Sequence, residues 1–291
     1  MDGSGPLVAE NPRAGDVAPR EVAGAPESPG FQTKNELIRR LLTPAQYWKH
    51  RLIPGAVYGW ARSMRQWRRG EAELRILEAL VDPHRTAVDV GANKGTYTWF
   101  LSRLCRHVYA YEPNPAMRWM LTRSMPQNVT IFPRALSDHS GEAVLRIPAK
   151  SRRFSNNIGT LRPAFEDLPC ELVPVRTSRL DDDGLVDVGF LKIDVEGHEQ
   201  EVLRGAREIM TRDRPVLLIE IIEDHNDRPV DETIDSVERL GYRAHVVQGT
   251  QLTEWAEVRD IRAHKARQGE SNPRIRNYVF LPAAVPVSRA A

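Results

Sequence analysis

The chain has 291 residues, 41% hydrophobic and 27% charged, with a formal net charge of +2. This is the balance of one large soluble α/β domain with extra segments, and so small a net charge does not suggest a dedicated nucleic-acid binder. Two cysteines, Cys105 and Cys170, exclude a disulfide framework and fall in no metal-ligand spacing.

Residues 1–30 are rich in Gly, Pro, Ala and Ser and poor in large apolar groups, the composition of a disordered tail. Residues 31–82 read as a helical cap. There Arg39, Arg40, Lys49, Arg51, Arg62, Arg65, Arg68 and Arg69 interleave with Tyr47, Trp48, Tyr58, Trp60 and Trp67. Trp60, Met64 and Trp67 recur at helical spacing. The expectation is a lid that packs this aromatic face on the main domain. The other reading is a surface that touches an anionic membrane or substrate.

From about Glu71 the pattern becomes regular, and residues 83–291 read as the main domain. Glu73 to Leu80 reads as a helix, Thr86 to Val90 as a strand and Gly95 to Cys105 as a helix. Cys105, beside Leu101 and Leu104, reads as a buried core thiol. His107 to Tyr111 is a strand, Pro115 to Ser124 a helix and Val129 to Phe132 a strand. Short strands follow at Glu142–Ile147 and Leu172–Arg176. Then come a strand at Phe190–Val195, a helix at Glu199–Met210, a continuous apolar strand at Val216–Ile222, a helix at Asp231–Leu240, and strands at Arg243–Val247 and Asn277–Leu281. Strands alternating with helices imply crossover units and a mostly parallel sheet covered on both faces. No run reaches the ~18 apolar residues of a membrane span, and a charged-then-apolar leader is missing. No stable membrane insertion and a cytoplasmic location are expected.

The chemistry concentrates at strand ends. Asp89-Val90-Gly91-Ala92-Asn93-Lys94-Gly95 follows a strand and opens a helix, where backbone N–H groups can approach a ligand. It lacks the second glycine that a dinucleotide pyrophosphate needs, because Asn93 stands there. Glu112-Pro113 ends the next strand about 20 residues on, where an acid reaches a ribose diol in doubly wound folds. Ser137 and Asp138 follow the third strand, positioned for an adenine edge or for a plain turn. Asp194, Glu196 and His198 sit at the end of a later strand, and Glu220 at the end of its neighbour.

The run Leu191-Lys192-Ile193-Asp194-Val195-Glu196-Gly197-His198-Glu199 resembles the FkbM methyltransferase family. So do the glycine turn, Glu112-Pro113, Ala135-Leu136-Ser137-Asp138, Ser155-Asn156-Asn157 and Thr177-Ser178-Arg179-Leu180-Asp181-Asp182, over about Thr86 to Pro282. The resemblance implies a Rossmann-like class I methyltransferase fold with a seven-stranded, mostly parallel sheet. It implies S-adenosyl-L-methionine as donor and O-methylation of a sugar, polyketide or other small secondary metabolite. Asp89, Gly91, Ala92, Asn93, Gly95, Thr98, Glu112, Pro113, Ser137, Asp138 and Asp194 become the expected cofactor residues. Asn156, Asn157, Glu196 and Glu220 become the expected acceptor contacts.

A hydroxyl is a poor nucleophile, so a base is expected near the acceptor. His198 or Asp194 is the expected base, with Glu220 as the third catalytic residue, orienting or binding the acceptor. A divalent cation such as Mg2+ on the carboxylates is the less favoured way to activate the hydroxyl, and no metal ligands are assigned. A small hydroxylated acceptor is the expected partner, with no nucleic acid; a homodimer stays open. The competing readings are a non-catalytic S-adenosylmethionine-binding scaffold and an NAD-dependent oxidoreductase.

Overall fold

The computed structural model describes residues 34–148, 159–161, 169–222, 229–267 and 275–283. Four helices come first: α1 (Lys34–Leu41), α2 (Pro44–Leu52), α3 (Gly55–Arg69) and α4 (Glu73–Leu80). The alternation then runs β1 (Thr86–Val90), α5 (Thr96–Leu104), β2 (His107–Tyr111), α6 (Pro115–Ser124), β3 (Val129–Phe132), β4 (Ala135–Leu136), β5 (Gly141–Pro148) and β6 (Cys170–Ser178). A 3-10 turn at Asp181–Asp183 leads to β7 (Val188–Ile193), α7 (Glu199–Gly205), α8 (Arg207–Asp213) and β8 (Val216–Glu220). The described chain ends with α9 (Val230–Glu238), β9 (Tyr242–Gln248), β10 (Gln251–Glu254), α10 (Trp255–Arg267) and β11 (Asn277–Pro282).

The main sheet has eight strands in the order β10-β9-β11-β8-β7-β1-β2-β3. The five strands from β8 to β3 pair in parallel, and β11 runs antiparallel between β8 and β9. This is the Rossmann-like, mostly parallel arrangement that the resemblance implied. Seven strands were expected, and the eighth, β10, pairs antiparallel with β9 across the two-residue turn Gly249-Thr250. Gly249 has φ +67, the left-handed conformation that such hairpin turns require.

Both faces of the sheet are covered, which is why β1 and β7 are buried along their whole length. Val88, Val90, Leu191, Ile193, Leu217 and Ile219 face α7 to α10 through Val202, Ile209, Ile234 and Trp255. The alternate positions Ala87, Phe190 and Leu218 face α4 and α5 through Leu77 and Leu101. Period-two alternation therefore sends Asp89 and Lys192 to the α5 side.

The two short strands expected near Glu142 and Leu172 form a separate sheet, with order β4-β6-β5. It packs with α1 and α6 around Ile38, Leu41, Met117, Met120, Leu145 and Val173. The expected single helix Glu199–Met210 is divided at Ala206 into α7 and α8. Gly205 presses against the β4 end there, where an added Cβ would meet the Ser137 carbonyl oxygen at 2.0 Å.

The expectation for α3 is overturned. Its buried face carries Gly59 and Ser63, while Trp60 and Trp67 remain 55% and 42% exposed. Close approach of backbone to α6, which only glycine permits, decides the orientation: a Cβ on Gly55 would lie 1.7 Å from the Arg123 carbonyl oxygen. The cap aromatics that do turn inward are Tyr47, stacked on Trp119, and Tyr58, against the buried His50.

Candidate functional site

A cleft of about 610 Å3, counted with its open mouth, lies at the carboxyl ends of β1, β2 and β7. Parallel strands place their C-terminal loops on one rim, where open α/β sheets bind ligands. The turn after β1 runs through left-handed backbone at Gly91 (φ +76), Asn93 (φ 52) and Gly95 (φ 82). Asn tolerates that region better than most residues, which explains how Asn93 replaces a glycine. Gly91 is required for a second reason. A Cβ there would lie 1.8 Å from the Asp194 carbonyl oxygen, so the β1 and β7 loops touch backbone to backbone.

Glu112 closes the turn from the β2 side. Its Oε2 accepts from the Asn93 N–H at 2.6 Å and its Oε1 from the Asn114 N–H at 2.7 Å. Asn114 in turn caps α6, accepting from Ala116 and Met117, with Pro115 preset for the first turn. Burial raises the Glu112 carboxyl to about 7, against the lowering pull of those two N–H donors.

Of the expected cofactor residues, Gly91, Asn93, Glu112, Pro113 and Asp194 line the cleft, together with Glu196 and His198. Asp89 and Thr98 stand behind it, both fully buried, with the Thr98 hydroxyl donating to Asp89 Oδ2 at 2.5 Å. Ala92 packs with Ala110 and Leu121, and Gly95 allows α5 to approach Leu121 and Met125. Ser137 is buried, with its Oγ 3.0 Å from His198 Nε2. Asp138 turns to Arg204 at 2.9 Å and His139 at 2.7 Å. Asn156 and Asn157 lie outside the described residues.

The catalytic candidates divide by environment. His198 Nε2 meets Ser137, and its Nδ1 is 3.5 Å from Glu201, so both ring nitrogens face protein partners. Asp194 opens onto the cleft and its amide donates to Val90. The β7–β8 pairing ends at Ile193↔Ile219, so one further step sets Asp194 beside Glu220. Burial pushes the Glu220 carboxyl well above the usual carboxylate range, and a hydrogen bond with Asp194 reinforces the shift. Glu196 holds a left-handed φ of 55, an uncommon conformation for a residue of this type. The Thr160 hydroxyl donates to the Glu196 carbonyl at 2.8 Å.

Sequence reasoning missed Lys192. Its ammonium is buried 3.1 Å from Asp194 Oδ2 and 3.8 Å from Asp89 Oδ1, and it stands over the Tyr97 ring. Burial alone would lower its pKa, and Asp194, Asp89 and Glu71 more than reverse that. Asp89 is shifted upward by burial, with Lys192 opposing. A lysine inside the otherwise apolar run VGFLKI was the available signal, because a buried cation needs anionic partners. Among the described residues, no group of three or more His, Cys, Asp or Glu is gathered to hold a metal ion.

The family model described as "Methyltransferase FkbM domain" matches residues 89–244. Among solved structures, a methyltransferase FkbM from Methylobacillus flagellatus KT is similar at 15% identity over 85% of this chain, with a TM-score of 0.42. This chain spans only 57% of that protein's length. A Streptococcus mutans protein solved in complex with SAH is similar at 12% identity, over 72% of this chain and 94% of that one, with a TM-score of 0.39. An rRNA methylase from Streptococcus thermophilus is similar at 11% identity, over 73% and 95% of the two chains, with a TM-score of 0.40. No curated protein matches. The matched stretch takes in the glycine turn, Glu112, the Asp194 rim and Glu220 and covers more than half of the 291 residues, and by that match the chain belongs to the FkbM methyltransferase family.

Proposed function

We propose that the chain is an S-adenosylmethionine-dependent O-methyltransferase acting on a hydroxyl of a sugar, polyketide or other small secondary metabolite. The observation that carries this reading is the sign of the cleft. Its lining includes Glu112, Asp194 and Glu196 and, among the described residues, no lysine or arginine. S-adenosylmethionine carries positive charge at sulfur and at its amino group, which such a lining attracts. The pyrophosphate of a dinucleotide would be repelled, which disfavours the oxidoreductase reading.

The residues present fit the donor. Gly91 leaves the open backbone cradle that a Cβ would fill. Each Glu112 oxygen accepts one backbone N–H and keeps a further lone pair for a ribose hydroxyl. Pro113, Leu136 and Leu145 give the cleft an apolar wall suited to a purine plane. When bound, S-adenosylmethionine supplies an electrophilic methyl carbon with a neutral thioether as leaving group.

Asp194 is the proposed base. It faces the cleft, and the Lys192 ammonium behind it holds the carboxylate in place. It takes the proton of the acceptor hydroxyl as the oxygen takes the methyl group. Glu220, protonated beside it, donates to Asp194 and orients it. His198 is the second candidate base, held back by Ser137 and Glu201. Glu196, Asn156 and Asn157 are the proposed acceptor contacts.

Calorimetric titration of the full chain with S-adenosylhomocysteine tests the donor site. Saturable binding that Glu112→Ala abolishes is the expected result, followed by mass-shift screening of glycosides and polyketides with S-adenosylmethionine. Absence of binding by the intact chain would end this reading. Binding without turnover on any hydroxylated acceptor would leave the non-catalytic scaffold.

A further inference from the structure

Between Glu36 and Glu71 the chain carries eight lysines and arginines and no acidic residue, against a net charge of +2 for the whole chain. The remainder is therefore net acidic, and the positive charge is concentrated in α1 to α3. The same stretch turns large apolar side chains to solvent. Leu52 is 75% exposed, Val57 53%, Trp48 55% and Trp60 55%. On α3, Val57, Trp60, Met64 and Trp67 recur at i, i+3, i+7 and i+10, a single stripe.

The stripe cannot roll inward. On the opposite side, Gly55 and Gly59 hold α3 against Arg123 and Ser124 of α6. Arg62, partly buried, donates to Thr96 Oγ1 at 2.5 Å. Arg65, Arg68 and Arg69 remain exposed on the same helix, and Arg68 borders the stripe. Burying large apolar groups is favourable, so keeping several in water points to a partner that covers them.

The charge and the chemistry of the patch select that partner. A second copy docked by two-fold symmetry would set this patch against itself, cation against cation. A nucleic acid would use the arginines and the tryptophans, but it has no apolar phase for Leu52 and Val57. An anionic bilayer surface takes all three groups: tryptophan at the headgroup level, aliphatic side chains at the acyl boundary and cations against lipid phosphate. We propose that α2 and α3 form a peripheral docking surface for anionic lipid membranes, with α3 lying in the headgroup plane along its length of about 22 Å. The helix lies on the bilayer without spanning it; no helix among the described residues is long and apolar enough to cross one.

The test is cosedimentation of the full chain with vesicles of equal parts phosphatidylcholine and phosphatidylglycerol, against vesicles of pure phosphatidylcholine. Strong partition onto the anionic vesicles alone is expected, weakening as salt screens the charges. Combined Trp60→Ser and Trp67→Ser is expected to weaken partition by about tenfold or more. Arg65→Glu with Arg68→Glu is expected to do the same, since each cation near the surface contributes about fivefold. Wild-type binding of S-adenosylhomocysteine by both variants separates lost docking from misfolding. No partition, or equal partition onto neutral vesicles, overturns the proposal. So would a dimer, or retention of RNA, that these substitutions abolish in a chain that ignores vesicles.

Discussion

Lys192 Nζ lies 3.1 Å from Asp194 Oδ2 in a strand whose neighbouring side chains are apolar and buried. The contact joins the interior of the sheet to the rim of the cleft, because Lys192 also reaches Asp89 beneath the glycine turn at 3.8 Å. One cation thus serves two carboxylates on adjacent strands. Lys192→Met should leave both without their cationic partner, at a cost of about 3–5 kcal/mol. For a chain of this size that is a fall of roughly 10 °C in melting temperature, read by thermal denaturation. An unchanged melting temperature would remove Lys192 from its structural role.

Glu112→Gln keeps the shape of the side chain and removes the charge. Affinity for S-adenosylhomocysteine is expected to fall about tenfold, the scale of a hydrogen bond to a charged group. In the unsubstituted chain the affinity should strengthen as pH rises through about 7, where the buried Glu112 carboxyl ionises. Calorimetry across that range should give a rising curve for the parent and a flat one for the variant. Parallel curves would assign the ionisation to another group.

Gly91→Ala forces a Cβ to within 1.8 Å of the Asp194 carbonyl oxygen at a backbone φ of +76. The β1 and β7 loops must separate, and the left-handed strain adds about 1–2 kcal/mol. Binding of S-adenosylhomocysteine should be lost while the chain keeps its helical circular-dichroism signal. Retained affinity would show that the turn does not cradle the donor.

Glu220 links stability to pH. Its folded-state pKa is raised by burial and by Asp194. A raised acid holds its proton more tightly when folded, so its contribution to stability is complete below the unfolded pKa. It is lost as pH rises through the folded value. The melting temperature of the parent should therefore decline toward alkaline pH more steeply than that of Glu220→Gln. Glu112 and Asp89 are raised too and act with the same sign, so the difference between the two curves is the informative quantity. Identical slopes would dissociate Glu220 from the Asp194 pair.

Asp194→Asn removes the proposed base. Turnover with an identified acceptor should drop by about 10²–10⁴, the usual scale for general-base catalysis. S-adenosylhomocysteine affinity should move far less. Near-normal turnover in both this variant and His198→Ala would remove the two leading candidates for the base.

Much of the candidate site is legible along the chain because its determinants are local. The turn from Asp89 to Gly95 needs left-handed backbone at fixed positions, and Gly91, Asn93 and Gly95 supply it. Glu112 reveals itself by ending a strand at the right separation from that turn. The hairpin that adds β10 also had a local signal in Gly249-Thr250, which the composition of the neighbouring strand obscured. Asp138 shows the opposite case, since its sequence position fits an adenine contact while Arg204 and His139 draw its carboxylate away.

From its residues alone, this chain determines the alternation of strands and helices, the left-handed turn and the set of carboxylates that end the strands. Those features depend on neighbours within a few positions, through side-chain period and backbone sterics. Only the tertiary structure decides that Lys192 bridges Asp89 and Asp194, that the strands near Glu142 and Leu172 leave the main sheet, and that α3 turns its glycines inward and its tryptophans outward. Each of these depends on what arrives from a distant part of the chain. Periodicity marks the apolar stripe of α3, but burial goes to whichever face lets two backbones meet, and at Gly55 and Gly59 that is the face without side chains.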